Sequence, residues 1–175
     1  MDSELQIKIL LTIFAGLFGA LISRYLTRIK ERVSLAFDMH KEINGLEMSR
    51  HRRIAGKFIE THPVKNFREL SVVDEEKTIS VLMIMRFYQR LWLSVKHGQI
   101  KKNLVNELFS EVFYYWYYLS YQHNLLVLDW DAAAQIKELA SWMEKHDKRK
   151  KFLTERNWAA NEYQKRINND ENKEA

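Results

Sequence analysis

The chain has no cysteine, one proline and five glycines. Without thiols, disulfide frameworks, thiolate metal sites, palmitoylation and prenylation are all excluded. The shortage of glycine and proline excludes a fold built on many tight turns. With Leu, Ile, Lys, Glu and aromatics plentiful, it predicts an all-α protein made of a few long helices. Recognisable catalytic machinery is also missing, with no Gly-rich phosphate loop, nucleophile elbow, HExxH or Cys/His pair. His40, His51 and His62 recur every eleven residues, about three helical turns, but Asn44, Gly45 and Pro63 interrupt any helix that would align them. No catalytic, metal-ligating or cofactor-binding residue is therefore assigned, and no cofactor is expected.

Charge is missing from one stretch in particular. The run ILLTIFAGLFGALIS, Ile9 to Ser23, contains no ionisable side chain, and extending it to Leu5 and Leu26 gives 22 residues. At 1.5 Å per residue that is about 33 Å of helix, enough to cross a hydrocarbon core of about 30 Å. Lys8 and Arg24 sit near its ends, where a long stem lies along lipid while the charge reaches the headgroups. The span is read through Ile9, Leu10, Phe14, Leu17, Phe18, Leu21 and Ile22.

A cleaved signal peptide would open with basic residues, whereas Asp2 and Glu4 stand here. It would also end on small residues two apart, and none of Ala15, Gly16, Gly19, Ala20 or Ser23 is so placed. A helix packed on the core of a small soluble domain would be apolar on one stripe with a polar outer face, and this one is apolar on every face.

Arg24, Arg28, Lys30 and Arg32 follow the span with Glu31 as the sole nearby acid, while its N-terminal side offers only Lys8. The positive-inside rule then predicts an N-terminus outside and a C-terminal domain in the cytoplasm. Within the span, Ala15 with Gly19 and Gly16 with Ala20 make small-xxx-small pairs, a face for close approach of a second helix and hence for homo-oligomerisation.

Beyond the span the pattern stays helical. Residues 1–26 read as N-terminal tail and membrane helix, 27–167 as a cytoplasmic helical domain opened by a stalk helix over 27–46, and 168–175 as a disordered polar tail. Asn44 and Gly45 suit the end of the stalk. A basic helix from about Glu47 to Glu60 follows, ended near Pro63. Asp74, followed by Glu75 and Glu76, signals the start of a helix running to about His97, with Ile79, Leu82, Met83, Phe87, Leu91 and Val95 as its apolar stripe and Gly98 as its left-handed cap. Asn103 opens the next helix, to about His123. The short link makes these two an antiparallel helical hairpin at the centre of the bundle.

The second hairpin helix carries Phe109, Phe113, Trp116 and Ser120 on one stripe, with Tyr114, Tyr115, Tyr117, Tyr118 and Tyr121 beside them. Phe113 and Trp116 are assigned to the core. The tyrosines read either as core filler that keeps its hydroxyls wet or, being favoured where one end is apolar and the other wet, as a partner-binding or membrane-interface surface. Asp131 caps a further helix with the stripe Ile136, Leu139, Ala140 and Met143, and an amphipathic stretch from Phe152 to Ile167 follows the basic run Lys145 to Lys151.

The formal charge of +5 would suit nucleic acid or anionic lipid. The cations fall near the span, in the Arg50 to Lys57 helix and in the Lys145 to Lys151 cluster, and for a protein already held at a membrane, lipid is the expected partner ahead of nucleic acid, which has similar electrostatics.

The segment RFYQRLWLSVKHGQIKKNLVNELFSEVFYYW, Arg86 to Trp116, resembles an uncharacterised bacterial domain family that follows a single N-terminal membrane helix. Phe87, Tyr88, Gly98, Leu104, Val105 and Trp116 stand at the matching positions, and Gln89 departs from an acidic residue of that pattern. The resemblance implies a helical, membrane-tethered bacterial or prophage-type protein and brings no catalytic residues with it. Two functional readings follow. The first is a non-enzymatic module that binds another protein at the membrane, with phage exclusion or defence as a setting. The alternative is a tethered hydrolase or nuclease whose site is assembled from scattered polar residues.

Overall fold

A single helix, α1 (Ser3–Asn44), carries the apolar run into the first layer of the domain without a break. The computed structural model describes residues 3–61, 74–121, 131–147, 154, 156–158, 160–162 and 164–165. Pro63, His62, His123, the link 122–130, the basic residues 148–151 and the tail 168–175 lie outside the described residues. Of the C-terminal amphipathic stretch, the described positions are helical. All regular structure among the described residues is helical: α1, α2 (Leu46–Thr61), α3 (Glu75–Lys96), α4 (Lys102–Trp116), a π-helical turn (Tyr117–Tyr121) and α5 (Asp131–Lys145).

Helix α1 changes character along its length. Every described side chain from Leu10 to Arg28 is exposed, whereas Ala36, Met39 and Ile43, at spacings of three and four, are buried. The segment read as a stalk is therefore part of the bundle. Its apolar residues form one inward stripe there, while those of the span point all round.

At Gly45 the chain bends. The Gly45 N–H bonds to the Glu42 carbonyl at 3.1 Å, and the Asn44 side chain donates to the His40 carbonyl at 3.1 Å. Helix α2 then continues in tandem with α1, and both run antiparallel to α3. Arg90 of α3 pairs with Glu42, His51 meets Ser80, and Lys77 lies over the Phe58 ring at 5.7 Å.

Helix α3 is the centre of the bundle and packs most closely against α2 and α5. Asp74 caps it in extended conformation, its carboxylate accepting from the Lys77 N–H at 3.0 Å. The Lys77 side chain beside it holds that carboxyl below its ordinary pKa. The buried set of α3 includes Val81, Ile84, Met85, Phe87, Tyr88, Leu91 and Val95. Ile79 and Met83, expected on the inward stripe, are exposed instead. Apolar residues occupy nearly every face of this helix, so its periodicity leaves the inward direction ambiguous, and the neighbours on two sides decide it.

Gly98 ends α3 at φ +65° with both bonds of a Schellman motif. The Gln99 N–H reaches the Ser94 carbonyl at 2.9 Å and the Gly98 N–H reaches that of Val95 at 3.2 Å. Ile100 is buried, and the Lys101 N–H donates to the Arg32 carbonyl of α1 at 3.3 Å. This docking sets the start of α4 at Lys102, one residue before the expected Asn103, with Lys101 at the cap and no side-chain cap bond.

Helices α3 and α4 form the antiparallel hairpin, and large rings fill the space between them. Phe87 meets Phe109 at 6.2 Å, Tyr88 meets Phe113 at 4.8 Å and Tyr88 meets Trp116 at 5.0 Å between ring centroids. On the other side of α3, α5 buries Ala132, Ile136, Leu139, Ala140 and Met143, and its Glu138 accepts from the Trp92 indole at 2.7 Å.

Candidate functional site

The exposed half of α1 is the feature of this molecule without an intramolecular purpose. Leu10, Phe14, Leu17, Phe18, Leu21 and Ile22 are each between 44% and 66% exposed, as far as a helix's own neighbours allow. Among the described helices it is the one long and apolar enough to cross a membrane, and none of its apolar window is buried. The core of a soluble domain would enclose such a helix, and here it stands clear of the bundle. The Thr27 hydroxyl donates to the Ser23 carbonyl at 2.9 Å, which satisfies that side chain within its own helix.

The small residues Ala15, Gly16, Gly19 and Ala20 lie on this exposed length. A Cβ built on Gly16 or Gly19 would meet nothing within 4 Å, so their backbone is open to a close neighbour. Arg24, Arg28, Lys30 and Arg32 are all exposed just below the apolar segment. The side chain of Ile9 lies outside the described residues.

The aromatic helix end departs from expectation. Tyr114, Tyr117, Tyr118 and Tyr121 are buried along with Phe113 and Trp116, and only Tyr115 of the five proposed surface tyrosines is exposed. The physical reason is the π-helical turn. Wider backbone spacing over Tyr117–Tyr121 lets successive rings stack inward, Phe113 on Tyr117 at 5.3 Å and Trp116 on Tyr121 at 4.8 Å. In the sequence YYWYYLSY every position but two is aromatic, so no period distinguishes an inner from an outer face. Tyr115 instead lies beside Trp158 at 5.8 Å, an exposed aromatic pair.

Burial raises the hydroxyl pKa of Tyr88 above its ordinary value, partly offset by the charge of Arg52. Burial likewise raises Tyr117, Tyr118 and Tyr121, with Glu144 pushing the first two further and Tyr117 adding to Tyr121. These tyrosines stay neutral and packed at neutral pH.

Polar groups also enter the seam between α2 and α3. His51 Nδ1 lies 3.0 Å from the Ser80 hydroxyl, and Arg52 Nη2 donates to the Ser49 hydroxyl at 3.1 Å. Ser80 is 2% exposed, so this His/Ser pair is a tie between helices and not a nucleophile open to substrate. Among the described residues, the Tyr88 hydroxyl and the Trp116 indole N–H are buried without a hydrogen-bond partner. Among the described residues no group of three or more His, Asp or Glu is placed to hold a metal ion. His40 packs edge-on against Phe109 at 6.0 Å and His146 stacks on Trp142 at 4.4 Å, so the described histidines are dispersed over the fold.

Comparison with protein-family models, with curated proteins and with solved structures finds no match to this chain.

Proposed function

We propose that this protein is a membrane-tethered, non-enzymatic interaction module, with its helical domain held at the cytoplasmic face of a bacterial inner membrane. The observation that carries the reading is the unburied apolar half of α1, continuous with a helix whose other half is built into the core. An anchor made this way gives the domain a fixed standoff from the bilayer, because no flexible linker intervenes. The basic residues Arg24, Arg28, Lys30 and Arg32 support the cytoplasmic orientation. The open backbone at Gly16 and Gly19 supports a second copy of the helix as a neighbour in the membrane.

Partner recognition is assigned to the aromatic end of α4, where burial of Tyr114, Tyr117, Tyr118 and Tyr121 leaves Tyr115, beside Trp158, exposed. Replacing both with serine is expected to leave membrane level and helicity unchanged while cellular function and recovery of the bound protein fall together. If that variant functions normally, and Ser80→Ala or His51→Gln abolishes function without unfolding the domain, the tethered-enzyme alternative replaces this reading.

A further inference from the structure

We infer that the connection between α3 and α4, Lys96 to Lys102, is a second membrane contact that rests on the headgroups of an anionic bilayer. The inference depends on the reading of α1 as a membrane anchor.

Its first support is position. The Lys101 N–H is bonded to the Arg32 carbonyl, and a Cβ on Gly98 would lie 3.9 Å from the Arg32 guanidinium. The connection is therefore held against α1 at the level of Arg32, although it lies far from it in sequence. Arg32 is nine residues beyond Ser23, about 13 Å along the helix axis. Headgroups occupy roughly 5 to 7 Å on each side of the hydrocarbon core. The loop thus stands about 6 to 8 Å from the headgroup surface, within a lysine's reach and within a Debye length of about 8 Å at physiological salt.

The second support is charge. Between Lys77 and Asn106 the sequence has no Asp or Glu. Lys96, His97, Lys101 and Lys102 are all exposed in the connection. Glu138 of α5 lies 3.8 Å from Lys96, and Glu31 and Glu107, the carboxylates nearest in sequence to Arg32 and Lys102, are exposed. Lys101 and Lys102 make no ion pair among the described residues. The third support is rigidity. The Schellman bonds, buried Ile100 and the tie to Arg32 hold the cations on a platform whose ordering cost is met by folding itself.

Two attachments, the helix and this loop, restrict rotation of the domain about α1 and turn the Gly45 end, with Leu46 91% exposed, toward the cytoplasm. Each basic residue close to an anionic surface strengthens its attraction about fivefold. Losing two lysines should therefore lower occupancy of the contact by an order of magnitude or more.

The absence of cysteine makes the test direct. A single Gln99→Cys substitution in the full chain accepts an environment-sensitive fluorophore, and Leu46→Cys serves as the remote control. The labelled protein is reconstituted into vesicles of phosphatidylcholine alone or mixed with phosphatidylglycerol, with a quencher carried on the lipid headgroup. The expected result is strong quenching at position 99 in the anionic vesicles, weaker quenching in the neutral ones, and loss of the difference with Lys101→Gln and Lys102→Gln combined. Position 46 should be unquenched in both. Co-flotation with vesicles and no quenching at position 99 overturns the loop contact while leaving the anchor intact, and equal quenching in both lipids overturns its electrostatic basis. Failure to co-float overturns the anchor and this inference with it.

Discussion

At the scale of single residues, the core separates side chains that stabilise by packing from one that carries a polar cost. Leu91 is completely buried in α3, and Leu91→Ala is expected to destabilise by about 2 to 5 kcal/mol through lost burial and a residual cavity. Tyr88 is equally buried but its hydroxyl is unpartnered. Tyr88→Phe removes that group while keeping the ring between Phe113 and Trp116, so chemical denaturation should show a change within about 1 kcal/mol or a gain. The tyrosines also set an alkaline limit. Their folded pKa values lie above the unfolded value of about 10. The neutral folded form is thus fully favoured below that pH and loses stability as pH rises above it. Tyrosinate absorbance from these buried residues should grow in step with loss of helicity, and their ionisation at full helicity would contradict their burial. The burial of Leu91, Phe113 and Trp116 was legible from their apolar stripes, whereas that of the tyrosines was not, because a run in which almost every residue is aromatic marks no inner face.

At the scale of elements, the legible features are those whose causes are local. Asp74 as a cap, Gly98 as a left-handed terminus, the stripe Ile136, Leu139, Ala140 and Met143, and the α3–α4 hairpin follow from residue type and spacing, and each is where those signals place it. The start of α4, the inward face of α3 and the incorporation of the stalk into the bundle depend on docking between distant segments, which spacing does not encode. Gly98→Ala tests the local kind of cause. Among the described residues, the one atom within 4 Å of the new Cβ is Arg32 Nη2 at 3.9 Å, so space is not the obstacle. The left-handed backbone is, at about 1 to 2 kcal/mol for an L-residue. A fall in Tm with Gly98→Ala, and a smaller one with Gly98→Asn, is the expected outcome in thermal unfolding. Equal stability of all three would mean that the turn relaxes out of its left-handed conformation.

At the scale of the whole molecule, a folded domain and an apolar helix share one continuous axis, α1. The apolar length was legible because a charge-free run needs no tertiary information. The surface proposed for partner binding was not, since four of the five tyrosines assigned to it are inside. The account therefore turns on whether the half of α1 that the bundle leaves bare lies in lipid. Cell membranes washed with alkaline carbonate decide this, because peripheral proteins are released and helices that cross the hydrocarbon core are kept. The full chain should remain in the pellet, and replacing Leu17 and Phe18 with Asp should move it to the supernatant with the domain still helical, each charge at the centre of the span costing about 2.5 to 3.5 kcal/mol. Recovery of the unaltered chain in the supernatant as an intact, folded protein would contradict the account.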